Sequence, residues 1–250
     1  MSLTEPPARR AVRTAPLIVT ALCAGAFALL AVLVTGRGGA PFPLDTDALD
    51  WSLGHRSSPA GVTAARAVTA SGTGPYPYLC AVVAGLLAGR DPRHRLMAAA
   101  GALVFLLAGQ AARYGLLAAV ARPRPPMADW LTHASGFAFP SGHATTSALA
   151  AGLLIWGLVR FGHSAHPGRG SRVIPKWLRR ALIALLVCWA VAVGLSRIYL
   201  GVHWATDVVG GWLYAATWLG LGASFVPARS HFPAGAAPVS TRRIRRRNDR

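Results

Sequence analysis

Residues 196–207 read SRIYLGVHWATD and place an arginine, a histidine and an aspartate where one apolar segment ends and the next begins. His203 and Asp207 are four residues apart, so on a helix they share a face and the carboxylate can bind the imidazole. Charged groups at the rim of an apolar span are costly to place there and are therefore candidates for function. Two more polar clusters lie upstream, at 122–125 (RPRP) and 140–143 (PSGH). Together the three clusters predict a phosphate site in or near a membrane.

The composition is typical of an integral membrane protein. The 250 residues are 53% hydrophobic and 14% charged, whereas soluble domains carry about 25% charged residues. The net charge of +18 would also suit a nucleic-acid-binding protein. Most of the basic residues flank apolar spans, however, where the positive-inside rule expects them, so we predict no nucleic-acid partner. All three cysteines lie inside apolar segments, which argues against a disulfide framework or a metal cluster: Cys23, Cys80 and Cys188.

Uncharged runs predict an all-α fold, a polytopic membrane helical bundle with about six transmembrane helices. The first run follows several arginines and exceeds the apolar core of a cleaved signal peptide, so we interpret it as a retained helix. The fourth and fifth runs are short, which fits helices whose ends merge into a polar site. The six runs are 15–34, 76–89 (with an uncharged lead-in from 67), 96–121 (interrupted only by Arg113), 144–159, 181–195 and 208–226.

The distribution of arginine predicts the orientation in the bilayer. Basic residues concentrate before the first run, between the second and third, between the fourth and fifth, and after the sixth. Both termini are therefore predicted to be cytoplasmic and the three polar clusters extracytoplasmic, in a bacterial inner membrane. The predicted organisation is a cytoplasmic segment 1–14, a membrane domain 15–226 and a basic cytoplasmic tail 227–250 that is disordered. Within the domain lie an extracytoplasmic loop at 36–75, expected to form short surface helices, and active-site segments at 122–143 and 196–207.

The PSGH cluster predicts an anion site at a helix start. Ser141 would be the N-cap residue, and Gly142 would let a ligand approach the free backbone N–H groups and the positive end of the helix dipole. An ordinary capped helix start is the alternative for these two residues. Arg124 and Arg197 carry planar forks that suit phosphate oxygens. Arg122 is either a further phosphate ligand or a solvated loop residue.

The two histidines predict a phosphoryl transfer without a metal or cofactor. Asp207 can bind one ring nitrogen of His203 and leave the other unprotonated and nucleophilic. His143 lies beside the anion site, which favours a protonated form that donates to a leaving oxygen. Each histidine alone could instead be a satisfied helix-end residue or a metal ligand. Neither has a second His or Cys at ligand spacing, so no metal site is predicted.

Taken together, the clusters resemble the signatures of the type 2 phosphatidic acid phosphatase superfamily. Arg197, His203 and Asp207 match the third signature, an arginine, five residues, a histidine, three residues and an aspartate. Residues 140–143 match the second, and Arg124-Pro125 matches the end of the first. For the bacterial membrane branch, the resemblance implies a six-helix core that acts without metal on lipid phosphates, with the histidine roles given above. The apolar spans argue against the superfamily's soluble acid phosphatases and vanadium haloperoxidases.

The sequence departs from this family at one position. The first signature begins with a lysine seven residues before the Arg-Pro arginine, and that position is Leu117. The nearest basic residue is Arg113, one turn earlier on the same helix face. Arg113 therefore either replaces the lysine as a phosphate-binding residue or pairs with a polar group inside the bundle.

The resemblance and the predicted orientation imply a lipid phosphate or pyrophosphate phosphatase at the extracytoplasmic face that forms a phosphohistidine. Its candidate substrates are undecaprenyl pyrophosphate, phosphatidylglycerophosphate and phosphatidic acid. The first is slightly favoured, because an outward-facing site suits recycling of a cell-envelope carrier lipid. A non-catalytic component that binds or transports lipid phosphate is the alternative, which the missing lysine keeps open.

Overall fold

The computed structural model describes residues 7–162 and 174–225. The predicted basic tail and the residues between 162 and 174 lie outside the described residues. The described parts contain helices and no strand, which confirms the all-α prediction. The helices are α1 (Pro7–Gly36), α2 (Pro43–Gly54), α3 (Pro59–Ser71), α4 (Tyr76–Ala88), α5 (Pro92–Val120), α6 (Gly142–Gly162), α7 (Lys176–Tyr199) and α8 (Ala205–Phe225), with a short 3-10 turn at Met127–Asp129.

Five of these helices are long and apolar enough to cross a membrane: α5, α6, α7, α8 and the part of α1 from Pro16 onward. The remaining predicted span is α4, an apolar helix of 13 residues. At a rise of about 1.5 Å per residue it is about 20 Å long, shorter than a bilayer core of about 30 Å. The prediction of about six spans therefore corresponds to five full-length helices and one short one.

Although α4 is short, it packs closely against α5 and α6. Ala81 and Ala84 are fully buried. Small residues allow this close packing, because a side chain at Gly85 would collide with the α5 backbone at Ala99 and one at Gly157 of α6 would meet the Ala84 carbonyl. The surrounding core is formed by leucines and alanines of α5, α6 and α8: Ala102, Leu106, Leu149, Leu153 and Ala215.

The segment predicted as a loop at 36–75 contains α2 and α3. Pro43 occupies the start of α2, and the Asp45 carboxylate accepts the Phe42 N–H as in the second half of a capping box. Ser58 caps α3 by accepting the Gly61 N–H at 3.2 Å. Both helices pack on α7, and α2 also packs on α8. The segment is thus attached to the bundle beside the residues predicted to form the site.

The helix directions bring the three polar clusters to one end of the bundle, which we call the site end. There α5 and α7 finish and α6 and α8 begin. Backbone hydrogen bonds join the connecting segments, from Ala138 N–H to the Arg122 carbonyl at 2.8 Å and from Ser141 N–H to the Asp207 carbonyl at 3.0 Å. A third, from Leu131 N–H to the Leu200 carbonyl, measures 3.0 Å. Residues that are far apart in sequence are therefore adjacent in the fold.

Candidate active site

A cavity of about 440 Å³ opens at the site end. Six of the nine predicted site residues line it, contributed by α5, α6, α7 and the connecting segments: Arg113, Arg124, Gly142, His143, Arg197 and His203. The other three, Arg122, Ser141 and Asp207, are buried and do not line the cavity. The three sequence clusters thus lie together at one cavity.

Three guanidinium groups face this cavity with no carboxylate in ion-pair contact among the described residues. Arg113 and Arg197 are only 6% and 3% exposed, and Arg124 is half-buried. In the described part of the chain, the Nε atoms of Arg113 and Arg197 have no hydrogen-bond partner. Burying unpaired cations and unsatisfied donors is costly. The arrangement therefore suits an anionic ligand.

Arg113 points into the cavity, although the family lysine is absent. Its Nη1 donates to the Pro140 carbonyl at 3.2 Å, and its guanidinium stacks over the Tyr114 ring at 4.3 Å. A side chain at Gly142 would have its Cβ 3.2 Å from the guanidinium carbon, so glycine leaves room for the arginine at this position. Leu117, where the lysine is missing, lines the same cavity. Arg113, one helical turn before Leu117, thus reaches the cavity.

Arg124 is oriented by the loop that follows it. Its Nε donates to the Gly136 carbonyl at 3.0 Å, and its Nη2 donates to the carbonyls of Ser135 and Phe137 at 2.8 and 3.0 Å. These bonds aim Nη1 at the His203 Nε2 atom, 2.9 Å away. Arg124 can therefore contact both the imidazole and a phosphate bound in the cavity.

The His203 ring lies between this arginine and a carboxylate. Its Nδ1 is 3.4 Å from Asp207 Oδ2, which also accepts the Trp204 N–H at 2.9 Å. These partners assign the proton to Nδ1 and leave the Nε2 lone pair as the acceptor of the Arg124 donor at the edge of the cavity. Burial, and after it the charges of Arg124 and Arg197, lower the pKa of His203 well below its ordinary value. The ring is therefore neutral and able to act as a nucleophile near pH 7.

Comparison with known proteins supplies the family. Residues 94–231, more than half of the chain, match the PAP2 superfamily. The chain belongs to this superfamily. The matched residues include Arg113 and all three clusters, and with them most of the residues that line the cavity.

Two curated PAP2-like relatives share its sequence in part. Phosphatidylglycerophosphatase B of Bacillus subtilis (strain 168) is 38% identical over 92 residues, which cover 37% of this chain and 40% of that protein. Phosphatidylglycerophosphatase B of Escherichia coli (strain K12) is 39% identical over 93 residues, which cover 34% of this chain and 30% of that protein. The matched segments thus span less than half the length of these relatives.

A solved structure has the same fold. It is the crystal structure of the first transmembrane PAP2-type phosphatidylglycerolphosphate phosphatase from Bacillus subtilis, with a TM-score of 0.63 and 22% identity. The similarity covers 86% of this chain and 98% of that one. The structural similarity therefore extends beyond residues 94–231, into the helices that precede them.

Arg122 does not line the cavity and has neither of the two roles predicted for it. Its side chain is 0% exposed, so the expectation of a solvated loop residue is wrong. Its Nη2 donates to Asp45 at 2.7 Å, and its Nη1 donates to Asp207 at 2.6 Å and to the Thr206 hydroxyl at 2.7 Å. The Nε atom donates to the Gly39 carbonyl at 3.2 Å. These contacts direct the guanidinium at two buried carboxylates, so it does not reach the cavity in which a phosphate would bind.

Ser141 is also buried and does not line the cavity. It precedes α6, as predicted for an N-cap, and its buried Oγ has no hydrogen-bond partner among the described residues. Its carbonyl accepts the Thr145 hydroxyl at 2.8 Å. Gly142 and His143, the first two residues of α6, line the cavity directly. An anion in the cavity would therefore lie near the positive end of the α6 dipole.

Sequence reasoning missed one buried group, Asp45. It is one of three aspartates in a segment that reads as a polar loop, together with Asp47 and Asp50. No spacing distinguishes it from the other two, which are exposed, whereas Asp45 is buried. Its position on the first turn of α2, after a proline, was the only local signal.

Proposed function

We propose that this PAP2 protein is a metal-independent lipid phosphate phosphatase that works through a phosphohistidine intermediate. One observation carries the proposal. Three guanidinium groups without carboxylate ion-pair partners in the described residues surround the unprotonated Nε2 of a buried histidine. Such a set binds a phosphoryl group and presents it to a nucleophile.

The reaction proceeds in two balanced steps. In the first, His203 Nε2 forms a bond to phosphorus and the bond to the ester or pyrophosphate oxygen breaks. His143, which takes up a proton when the anionic phosphate binds among the arginines, gives this proton to that oxygen. In the second, water attacks phosphorus, its proton passes to His143, and the phosphorus–nitrogen bond breaks. Inorganic phosphate leaves, and the Nε2 lone pair is restored. Asp207 keeps the Nδ1 proton in place throughout.

The arginines bind the phosphoryl oxygens and stabilise the charge of the transition state. Arg113 takes the role that the family lysine would have, since it reaches the same cavity from one turn deeper. Arg124 exchanges its contact with His203 Nε2 for a phosphoryl oxygen, which frees the lone pair for attack. Arg197 and the first N–H groups of α6 complete the binding site. Arg122 acts only through Asp207.

The proposed substrate class is a lipid phosphate or pyrophosphate. Both relatives are named phosphatidylglycerophosphatase B, which favours phosphatidylglycerophosphate. The predicted orientation favours a carrier lipid such as undecaprenyl pyrophosphate, and phosphatidic acid is the simplest member of the class. We place the reaction at the extracytoplasmic face of a bacterial inner membrane, with both termini cytoplasmic. In support, Arg90, Arg93 and Arg95 lie at the bundle end opposite the cavity, where the positive-inside rule expects the cytoplasm.

The test is phosphate release by the purified protein in detergent. Phosphatidylglycerophosphate, phosphatidic acid and undecaprenyl pyrophosphate are assayed side by side, with and without EDTA and with orthovanadate. We expect turnover that survives EDTA and is blocked by vanadate, a mimic of the trigonal-bipyramidal phosphoryl group. The matched control is His203→Ala, which should release no phosphate. Binding of these lipids without any turnover would instead indicate a lipid-phosphate binding or transport component, and a requirement for added metal would contradict the mechanism.

A further inference from the structure

Asp45 lies on α2, outside the residues that match the PAP2 superfamily, yet its carboxylate contacts the start of α8. The residue is 1% exposed. Its Oδ1 accepts the backbone N–H of Thr206 at 2.8 Å, and the Thr206 hydroxyl lies 2.9 Å from both oxygens. Its Oδ2 also accepts the Phe42 N–H at 3.0 Å and a donor from Arg122 at 2.7 Å. Each carboxylate oxygen thus has several partners.

The bond to Thr206 caps helix α8 from another helix. Thr206 is the second residue of α8, so its N–H belongs to the first turn, whose donors have no partner within the helix. A carboxylate there satisfies the donor and interacts favourably with the helix dipole. Because His203 lies just before this turn and Asp207 lies within it, Asp45 fixes the backbone that carries both of them.

The bond to Arg122 sets the charge behind the nucleophile. Arg122 lies between two carboxylates, at 2.7 Å from Asp45 and 2.6 Å from Asp207. Two carboxylates and one guanidinium leave one surplus negative charge beside the His203 ring. With Asp45 absent, the charges of Arg122 and Asp207 would cancel. The surplus charge matters during attack, because the ring becomes cationic as its Nε2 bonds to phosphorus.

We propose that Asp45 is a positioning residue for His203, acting through Arg122, Asp207 and the first turn of α8. The inference rests on the proposed function, in which His203 is the nucleophile. Asp45 neither lines the cavity nor touches the phosphoryl group. Its loss should therefore reduce the rate of the chemical step and leave substrate binding nearly intact.

The experiment compares Asp45→Asn with Asp47→Asn, the same change on an exposed residue of the same helix. The kcat and KM for dioctanoyl phosphatidic acid, the inhibition constant for orthovanadate and the Tm in detergent are measured for both. We expect Asp45→Asn to lower kcat at least tenfold, with KM and vanadate inhibition changed less than about threefold. Asp47→Asn should match the wild type. In the double variant Asp45→Asn/Arg122→Gln, the losses should be less than additive, since both residues act on the same carboxylate.

Two results would overturn the inference. One is an unchanged kcat in folded Asp45→Asn, and the other is loss of vanadate inhibition in step with kcat, which would indicate collapse of the cavity. If Asp45→Asn does not fold, Thr206→Val replaces it, because this variant removes the hydroxyl between Asp45 and Arg122 and keeps the side-chain shape. It should lower kcat at least threefold at constant KM, and an unchanged kcat would refute the inference. Inactivity of the wild type would refute the proposed function itself, a result distinct from these.

Discussion

The two ring nitrogens of His203 have opposite electrostatic environments. Nδ1 faces the Asp207 carboxylate at 3.4 Å and Nε2 faces the Arg124 guanidinium at 2.9 Å. A proton is therefore stable on Nδ1 and unfavourable on Nε2. This polarity directs the Nε2 lone pair away from Asp207 and toward Arg124, which is what the proposed nucleophilic role of His203 requires.

Replacing Asp207 by asparagine should slow the reaction and preserve the fold. The amide cannot supply a negative charge to the Nδ1 proton, so we expect kcat to fall at least tenfold, about 1.4 kcal/mol of transition-state stabilisation. Arg122 keeps Asp45 as a charged partner in this variant, so the Tm in detergent should change little. Initial rates of phosphate release and a thermal melt provide the measurements. A wild-type rate would remove the main support for His203 as the nucleophile.

The lowered pKa of His203 predicts an imidazole that stays neutral in mild acid. Burial and the surrounding arginines disfavour its protonated form, so protonation should begin only well below the ordinary value of about 6.5. Nitrogen NMR of histidine-labelled, ligand-free protein in detergent should show the neutral Nδ1–H tautomer of His203 at a pH where an exposed histidine is already protonated. His203→Ala assigns the signal. Removing a nearby positive charge with Arg124→Gln should move the transition to higher pH, and a ring that titrates at its ordinary pH would contradict this account.

Arg113 should be needed for efficient catalysis. We predict that Arg113→Ala lowers kcat/KM at least tenfold, about 1.4 kcal/mol, because the cavity loses one of three cations. Leu117→Lys in that background should restore part of the loss, since Leu117 lines the same cavity. Leu117→Met is the matched control, with similar bulk and no charge. A folded Arg113→Ala protein with unchanged kinetics would show that the site works without the first basic group of its family.

At the scale of the elements, five of the six helices predicted from uncharged runs are longer than those runs, and α4 is the exception. Helix α7 starts at Lys176, and the predicted run starts at 181; α5 includes Arg93 and Arg95, which precede the predicted 96. Long basic side chains can lie along a helix end and reach the interface, so charge does not end a transmembrane helix. Hydropathy thus locates the helices and underestimates their length.

The short helix α4 depends on small residues for its close packing on α5 and α6. We predict that Gly85→Ala destabilises the bundle by about 1–3 kcal/mol, because the added methyl group would overlap the α5 backbone. Gly101→Ala is the control, since a Cβ at Gly101 meets nothing within 4 Å and alanine favours helix by about 1 kcal/mol. Thermal unfolding in detergent should therefore show a lower Tm for the first variant and an equal or higher Tm for the second. Equal melting of both would contradict close packing of α4 on α5.

For the whole molecule, the proposed orientation can be tested by labelling in intact cells. In a background without the three native cysteines, we predict that a cysteine in Met127→Cys reacts with a membrane-impermeant thiol reagent. Met127 lies at the site end and is 77% exposed. A cysteine in Arg90→Cys, between α4 and α5 at the opposite end, should react only after the cells are opened. The reverse pattern would place the site in the cytoplasm and exclude an extracytoplasmic carrier lipid.

The sequence by itself determined the local features of this protein. Apolar runs located the membrane helices, because a helix in a bilayer must turn mostly apolar side chains toward the lipid. The spacing of His203 and Asp207 predicted their contact, although not its geometry: His203 precedes α8, and the Asp207 carboxylate in the first turn reaches back to it. The family signatures located most of the groups that line the cavity. Each signature lies near a helix end, and these helix ends meet at the cavity.

Only the tertiary structure decided which charges meet across the bundle. The Arg122–Asp45 bond joins residues 77 apart, and the bond from Thr206 to Asp45 joins residues 161 apart. No periodic pattern encodes such contacts, since they depend on how α2 packs on α8. Packing also gave two arginines of the same cluster different environments. Arg122 is part of a buried ion-pair network, whereas Arg124 faces the cavity. Asp45 was separated from its neighbours Asp47 and Asp50 in the same way, because a helix turns only one of the three toward the bundle.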